Sequence, residues 1–169
     1  MAFDPSRSDL TLGIVGAGIM GRGIAQVAAE AGIRVLIADA RPEAVAEALT
    51  FCADMIRRKA AKGALSAEDA DASIERIRRA APGADEPYAD FARCHLVIEA
   101  VAERLDVKHE VMAALERVVG DDCVLATNTS SLSVTAIAAK ARLPQRVAGF
   151  HFFNPVPLMR LVEVIGGAR

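Results

Sequence analysis

A glycine-rich turn between an apolar run and a helical pattern most constrains the fold of this chain. Residues 16–21 have the pattern G-x-G-x-x-G, follow the apolar residues 12–15 and precede an amphipathic stretch that reaches Ala31. A second apolar run, Ile33 to Ala38, comes next and ends at Asp39. This order predicts a strand, a tight turn, a helix and a second strand, which together form a βαβ unit that binds a dinucleotide.

Each position of the turn has a distinct expected function. Gly16 permits the tight turn at the end of the strand, and Gly18 lets the backbone approach a pyrophosphate closely. Gly21 lets the helix pack against the strand. The free N–H groups and the positive dipole end of the helix, near Ile19 and Met20, are expected to face the phosphates.

Asp39 stands where a dinucleotide fold places the carboxylate that binds the adenosine ribose. A 2′-phosphate at this position would meet like charge, so the sequence favours NAD over NADP, although Arg41 leaves a cation nearby. A structural turn without a ligand is the alternative. A P-loop is excluded because no Gly-Lys-Ser/Thr follows the turn.

Strand and helix patterns alternate along the chain and predict an α/β, doubly wound Rossmann fold: a mainly parallel sheet with helices on both faces. Two helices, from Pro42 to about Lys62 and from Ser66 onward, form a helical-hairpin excursion, and another runs from about Arg104 to Val119. Further strands are predicted at residues 96–98, 123–126, 146–150 and 161–165, and a weak one at 77–81. A chain of 169 residues fits one domain.

Composition narrows the classes of partner. The net charge of −2, the 4% aromatic content and the lack of tryptophan give no reason to expect nucleic acid or an anionic membrane. The amino terminus has no apolar leader pattern, and no uncharged stretch is typical of a membrane helix. Three widely spaced cysteines predict buried thiols in a reducing cytoplasm, with no metal site.

Of the three histidines, one stands where a ligand is expected. A nicotinamide enzyme needs a group that moves the alcohol proton while the cofactor takes the hydride. His95 and His109 are expected to be surface or packing residues. His151 follows the predicted strand 146–150 and therefore lies at a carboxyl end, where open α/β sheets bind ligands.

Glu163 is unusual within its predicted strand. Strand alternation places it on the same face as Leu161 and Ile165, and a carboxylate among apolar groups is costly unless it is paired. A turn after Pro157 could bring it beside His151, where it would hold the imidazole tautomer. The alternative is an edge-strand glutamate that reaches water.

Polar residues 128–131 also follow a strand end and are expected to face the same cleft. An amide and hydroxyls there could bind a substrate oxygen and the cofactor. The alternative is a helix N-cap, for which Ser131 is suited, in front of the short helix 132–139.

Four segments in this order resemble the NAD-binding domain of the L-3-hydroxyacyl-CoA dehydrogenases. They are the glycine turn with its continuation to residue 25, EAVAE at 99–103, NTSSL at 128–132 and HFFNPVP at 151–157. The resemblance implies that His151 is the general base, that Glu163 orients it and that Ser130 binds the 3-oxygen of an acyl-CoA substrate. It also implies NAD contacts at Asp39, Glu103, Lys108, Ser130 and Asn154.

The resemblance further implies a coenzyme A site on the helical excursion. Lys62 matches a CoA-contacting position, and Lys108 and Ser130 are assigned to the substrate as well. The neighbouring cations Arg57, Arg58 and Lys59 suit CoA phosphates, or alternatively form a solvated helix face. Met55 stands where the family often has serine.

Members of this family continue into a helical domain that completes the acyl pocket and forms most of a homodimer contact. We therefore expect residues 1–169 to be the NAD-binding domain, weakly active or inactive without that second domain. Two alternatives stay open: a non-catalytic NAD- or CoA-binding module, and a related hydroxyacid dehydrogenase with another substrate.

Overall fold

The computed structural model describes residues 4–167. Within them, seven strands form one sheet in the spatial order 3-2-1-4-5-6-7. The strands are β1 (Thr11–Val15), β2 (Arg34–Ala38), β3 (Ile77–Arg79), β4 (Leu96–Glu99), β5 (Val124–Thr127), β6 (Val147–Phe152) and β7 (Val162–Gly166). The first six run parallel, and β7 pairs with β6 in the antiparallel direction. Residues 1–3 and 168–169 of the predicted domain lie outside the described residues.

The helices lie close to their predicted bounds. They are α1 (Ile19–Glu30), α2 (Pro42–Ala61), α3 (Ala67–Arg76), α4 (Leu105–Val118) and α5 (Val134–Ala138), with 3₁₀ turns at Ala89–Arg93 and Pro144–Arg146. The hydroxyl of Ser66 accepts a hydrogen bond from the Asp69 N–H and caps α3. None of the described helices is long and apolar enough to cross a membrane.

Both faces of the central strands β1, β2, β4 and β5 are buried, which explains their nearly continuous apolar sequences. Ile14 and Ile98 pack on the face covered by α1 and α2, where they meet Ile24. Val97 and Leu115 belong to the opposite face, which α4 and α5 cover. This arrangement confirms the doubly wound α/β fold.

The strand order reverses direction at β1, because the chain adds β2 and β3 on one side and β4 to β6 on the other. Such a switch point opens a crevice at the carboxyl ends of the strands. Asp39 and the segments 99–103 and 128–131 all follow strands that end at this edge. Asp39 and these two segments, which the sequence analysis singled out, therefore lie at the same edge of the sheet.

Candidate active site

The glycine turn has the geometry that a tight strand-to-helix connection requires. Gly16 has a φ of 103°, and a Cβ there would lie 2.5 Å from the Ala100 carbonyl oxygen. A Cβ on Gly21 would lie 1.8 Å from the Gly16 carbonyl oxygen, so the helix approaches the strand as predicted. A Cβ on Gly18 would meet no atom within 4 Å. That side of the turn is open to a ligand.

Asp39 ties the end of β2 to this turn. Its Oδ2 accepts a hydrogen bond from the Ala17 N–H at 2.8 Å, and its Oδ1 accepts one from the Arg41 N–H at 2.9 Å. The carboxylate lines a cleft of about 570 Å³ together with Gly16, Gly18 and Val101. Each oxygen retains a further lone pair for a ribose hydroxyl, so the cleft fits the adenosine half of NAD.

His151 and Glu163 form a pair across the last two strands. They stand opposite each other in the β6–β7 register, and His151 Nδ1 lies 2.8 Å from Glu163 Oε2. Because a carboxylate only accepts hydrogen bonds, Nδ1 carries the proton and Nε2 of the neutral ring is left as an acceptor. The expected pairing is confirmed.

The surroundings of Glu163 differ from the expectation. Each described residue of β7 is exposed, because this strand lies at the sheet edge, and the Glu163 side chain is 51% exposed. Leu161 precedes the strand, and Ile165 is itself 39% exposed. The carboxylate is therefore both paired with His151 and open to solvent.

The loop 128–133 lies beside this pair. Ser130 and His151 line one cleft of about 380 Å³ that also includes Glu163. Asn128 Oδ1 accepts a hydrogen bond from the Phe152 N–H at 2.9 Å and so connects the ends of β5 and β6. The structure corrects the N-cap of α5, because Ser133 and not Ser131 accepts a hydrogen bond from the Ala136 N–H.

Glu103 holds the backbone of the same loop. Its Oε1 accepts hydrogen bonds from the Ser130 N–H at 3.0 Å and the Ser131 N–H at 3.2 Å. Partial burial raises the pKa of Glu103, but the hydrogen bond from Thr129 and the charge of Lys108 outweigh it and lower the pKa to about 2. The carboxylate is ionised at neutral pH.

Lys108 differs from its predicted role. Its side chain has no exposed surface, and its Nζ lies 2.8 Å from Glu99 Oε1 and 3.3 Å from Glu103 Oε2. Its direct contacts are with these two carboxylates, and it reaches the loop 128–133 through Glu103. Its helical spacing to the buried Val111 and Leu115 was the sequence signal for burial. Sequence reasoning also missed Glu99 as its partner.

The other predicted site residues lie in three parts of the structure: the end of α2, the start of α1 and the segment after His151. Lys62 is exposed at the end of α2, as are Arg57 and Arg58, whereas Lys59 is paired with Glu30 at 2.5 Å. Met55 is half-buried in the same helix. Ile19 is exposed and Met20 half-buried at the start of α1, and Asn154 is exposed in the segment after His151.

Val156 connects that segment to the cofactor helix. It is buried, and a Cβ on Gly23 would lie 2.9 Å from the Val156 Cβ. The absence of a side chain at Gly23 thus lets the segment after His151 pack directly on α1. Sequence analysis did not assign this contact.

His95 and His109 have structural roles, as expected. His95 Nδ1 accepts a hydrogen bond from the Thr11 N–H, and His109 Nε2 lies 2.8 Å from the Ala136 carbonyl oxygen. All three cysteines are free and buried. Among residues 4–167, no group of three or more histidine, cysteine or acidic side chains is placed to hold a metal ion.

A Rossmann fold whose glycine turn is open beside the Asp39 carboxylate is typical of the NAD-binding domains of dehydrogenases. The family model for the NAD binding domain of 3-hydroxyacyl-CoA dehydrogenase matches residues 11–169. The chain belongs to this family.

Similar proteins agree with this assignment. The chain is 43% identical over 160 residues to the 3-hydroxyadipyl-CoA dehydrogenase of Escherichia coli K12 (93% of this chain, 32% of that protein). It is 44% identical over 154 residues to a probable 3-hydroxybutyryl-CoA dehydrogenase of Bacillus subtilis (91% of this chain, 52% of that protein).

Solved structures give the same result. A 3-hydroxybutyryl-CoA dehydrogenase from Escherichia coli K12 superposes with a TM-score of 0.86 at 41% identity, over 94% of this chain and 33% of that one. An (S)-3-hydroxybutyryl-CoA dehydrogenase from Ralstonia eutropha has a TM-score of 0.86 at 39% identity, over 93% and 54%. The chain thus spans about a third to a half of the length of these relatives.

Proposed function

We propose that this chain binds NAD and takes part in the reversible oxidation of an (S)-3-hydroxyacyl-CoA to the 3-oxoacyl-CoA. The single observation that carries the proposal is the 2.8 Å pair of His151 and Glu163 in one cleft with Ser130. A protein that only bound NAD would not need a base with its own orienting carboxylate. The relatives, a 3-hydroxyadipyl-CoA dehydrogenase and a probable 3-hydroxybutyryl-CoA dehydrogenase, support the same substrate class.

In this mechanism His151 is the general base. Its Nε2 takes the proton of the 3-hydroxyl, while Glu163 holds the Nδ1–H and stabilises the imidazolium that forms. The hydroxyl of Ser130 donates a hydrogen bond to the substrate 3-oxygen. Bound NAD supplies the hydride acceptor at C4 of its nicotinamide ring.

We propose the following binding contacts for the cofactor and for CoA. The backbone N–H groups at Ile19 and Met20 face the pyrophosphate, next to the open side of Gly18. Asp39 accepts hydrogen bonds from the adenosine ribose. Further cofactor contacts are proposed at Glu103, Ser130 and Asn154, and CoA contacts at Lys62 and Ser130.

We further propose that the complete enzyme is a cytoplasmic homodimer. The free, buried cysteines are compatible with a reducing compartment. The proposed dimer contact and acyl pocket use residues that the longer relatives carry beyond the matched region, so we expect slow turnover from residues 1–169 alone.

The test is a single-turnover assay with the chain in excess over NADH, in which acetoacetyl-CoA oxidises NADH and absorbance falls at 340 nm. His151→Ala is expected to slow this step by about 10²–10⁴-fold. NADH affinity is measured on the same variant by titration calorimetry and should change little, because His151 lies outside the glycine turn and the Asp39 cleft. Oxidation of NADH by His151→Ala at the rate of the unmodified chain would contradict the proposal, because His151 would then not be the base.

A further inference from the structure

A buried ion-pair network lies directly behind the Ser130 loop. Lys108 Nζ donates to both oxygens of Glu99, at 2.8 and 3.0 Å, and lies 3.3 Å from Glu103 Oε2. The side chains of Glu99 and Lys108 have no exposed surface. Neither of them can touch a substrate or cofactor directly.

The Glu99 carboxylate is fully used by the protein. Its Oε1 also accepts a hydrogen bond from the Val101 N–H at 2.7 Å, and its Oε2 accepts one from the Thr127 hydroxyl at 2.8 Å. Glu99 is the last residue of β4, and Thr127 is the last residue of β5. The carboxylate is therefore fixed to two strand ends, and it fixes the ammonium group of Lys108 in turn.

The network ends at the proposed substrate site. Lys108 neutralises Glu103, and Glu103 accepts hydrogen bonds from the N–H groups of Ser130 and Ser131 and from the Thr129 hydroxyl. A lysine held in one place thus keeps the Glu103 carboxylate in one place. That carboxylate sets the backbone position from which the Ser130 hydroxyl enters the cleft.

We infer that Glu99 is a positioning residue for Ser130, acting through Lys108 and Glu103. The inference rests on the proposed function, because it assumes that Ser130 binds the substrate oxygen. A buried charge whose partner is removed is strongly unfavourable, so loss of the Glu99 charge drives the ammonium group of Lys108 toward water and away from Glu103. The Glu103 carboxylate then loses the cation that fixes it, and its hydrogen bonds to residues 129–131 weaken.

The first test is amide hydrogen exchange of Ser130 and Ser131 in the Glu99→Gln variant, followed by NMR. We expect exchange at these two amides to become at least about tenfold faster, since their hydrogen bonds to Glu103 open more often. The amide of Ala17, which donates to Asp39, should keep its rate. Unchanged rates at Ser130 and Ser131 would overturn the inference.

The second test is the single-turnover rate of NADH oxidation by acetoacetyl-CoA. Glu99→Gln is expected to slow hydride transfer by about 10–10²-fold, as a small misplacement of an orienting group does. In a Ser130→Ala background, Glu99→Gln should have no further effect, because the two residues act as a unit. Additive losses would show that Glu99 does not act through Ser130.

Helix α4, which carries Lys108, also offers a matched control. Glu116 of α4 forms a second buried ion pair, with Arg146 at 3.1 Å, near the amino end of β6 and thus at the opposite edge of the sheet. Glu116→Gln should lower stability without changing the hydride-transfer rate. If Glu99→Gln does not fold, the double variant Glu99→Gln/Lys108→Met removes both buried charges together. Faster exchange at Ser130 and Ser131 in this variant would support the inference, and unchanged exchange would overturn it.

The outcomes separate this inference from the proposed function. A large loss in His151→Ala with no loss in Glu99→Gln would overturn only the positioning role. No loss in either His151→Ala or Ser130→Ala would remove the proposed function itself, whatever the exchange rates show.

Discussion

Replacing Gly16 by alanine tests whether the glycine turn is required for folding, independently of its role in cofactor binding. The new Cβ would lie 2.5 Å from the Ala100 carbonyl oxygen, at a φ of 103°. An unfavourable φ costs about 1–3 kcal/mol. Overlap with a second strand end costs about 1–3 kcal/mol more. The smaller unfolded-state entropy of alanine returns only about 0.4–1 kcal/mol.

The net loss of unfolding free energy is therefore about 3 kcal/mol, which corresponds to a Tm lower by roughly 6–12 °C for a domain of this size. The Ala100 oxygen belongs to the backbone and the new Cβ is bonded directly to Cα, so neither atom can rotate away. Thermal unfolding followed by circular dichroism measures the change. A Tm within about 2 °C of the unmodified chain would refute the reasoning.

Gly18→Ala is the matched control in the same turn. Gly18 has a φ of −68°, and its Cβ would meet no atom within 4 Å, so stability should change by less than about 1 kcal/mol. The methyl group would occupy the open side where the pyrophosphate is proposed to lie. NADH affinity should fall by at least about tenfold; unchanged affinity would contradict that placement.

Three further predictions concern other parts of the structure. Because the folded-state pKa of Glu103 is lowered from 4.5 to about 2, its ionised form stabilises the fold above about pH 5, and this contribution disappears as the pH falls to about 2. The stability difference between the unmodified chain and Glu103→Gln in urea unfolding should shrink over that range, and a constant difference would argue against it. Burial raises the pKa of all three cysteine thiols to about 12, so a thiol-specific reagent should react only on unfolding, and rapid labelling of the folded chain would contradict this. Gly23→Ala should push Val156 away from α1 and slow hydride transfer about tenfold or more, with NADH affinity little changed; an unchanged rate would show that this contact does not position His151.

The sequence alone determined the fold class and the place of the site. Short continuous apolar runs indicate buried strands, and an apolar period of 3.6 indicates helices, so element bounds were predicted to within a few residues. Parallel strands bring their carboxyl ends together. The sequence therefore predicted one sheet edge that carries the glycines at 16, 18 and 21, Asp39 and His151.

Tertiary structure decided which side chains meet. The antiparallel register of β6 and β7 sets His151 opposite Glu163, and it places that strand at an exposed edge rather than among apolar groups. Packing of α4 on the sheet buries Lys108 against Glu99 and forms an internal ion pair that the sequence did not indicate. These contacts join residues far apart in the chain, so register and packing, which no local pattern encodes, determine them.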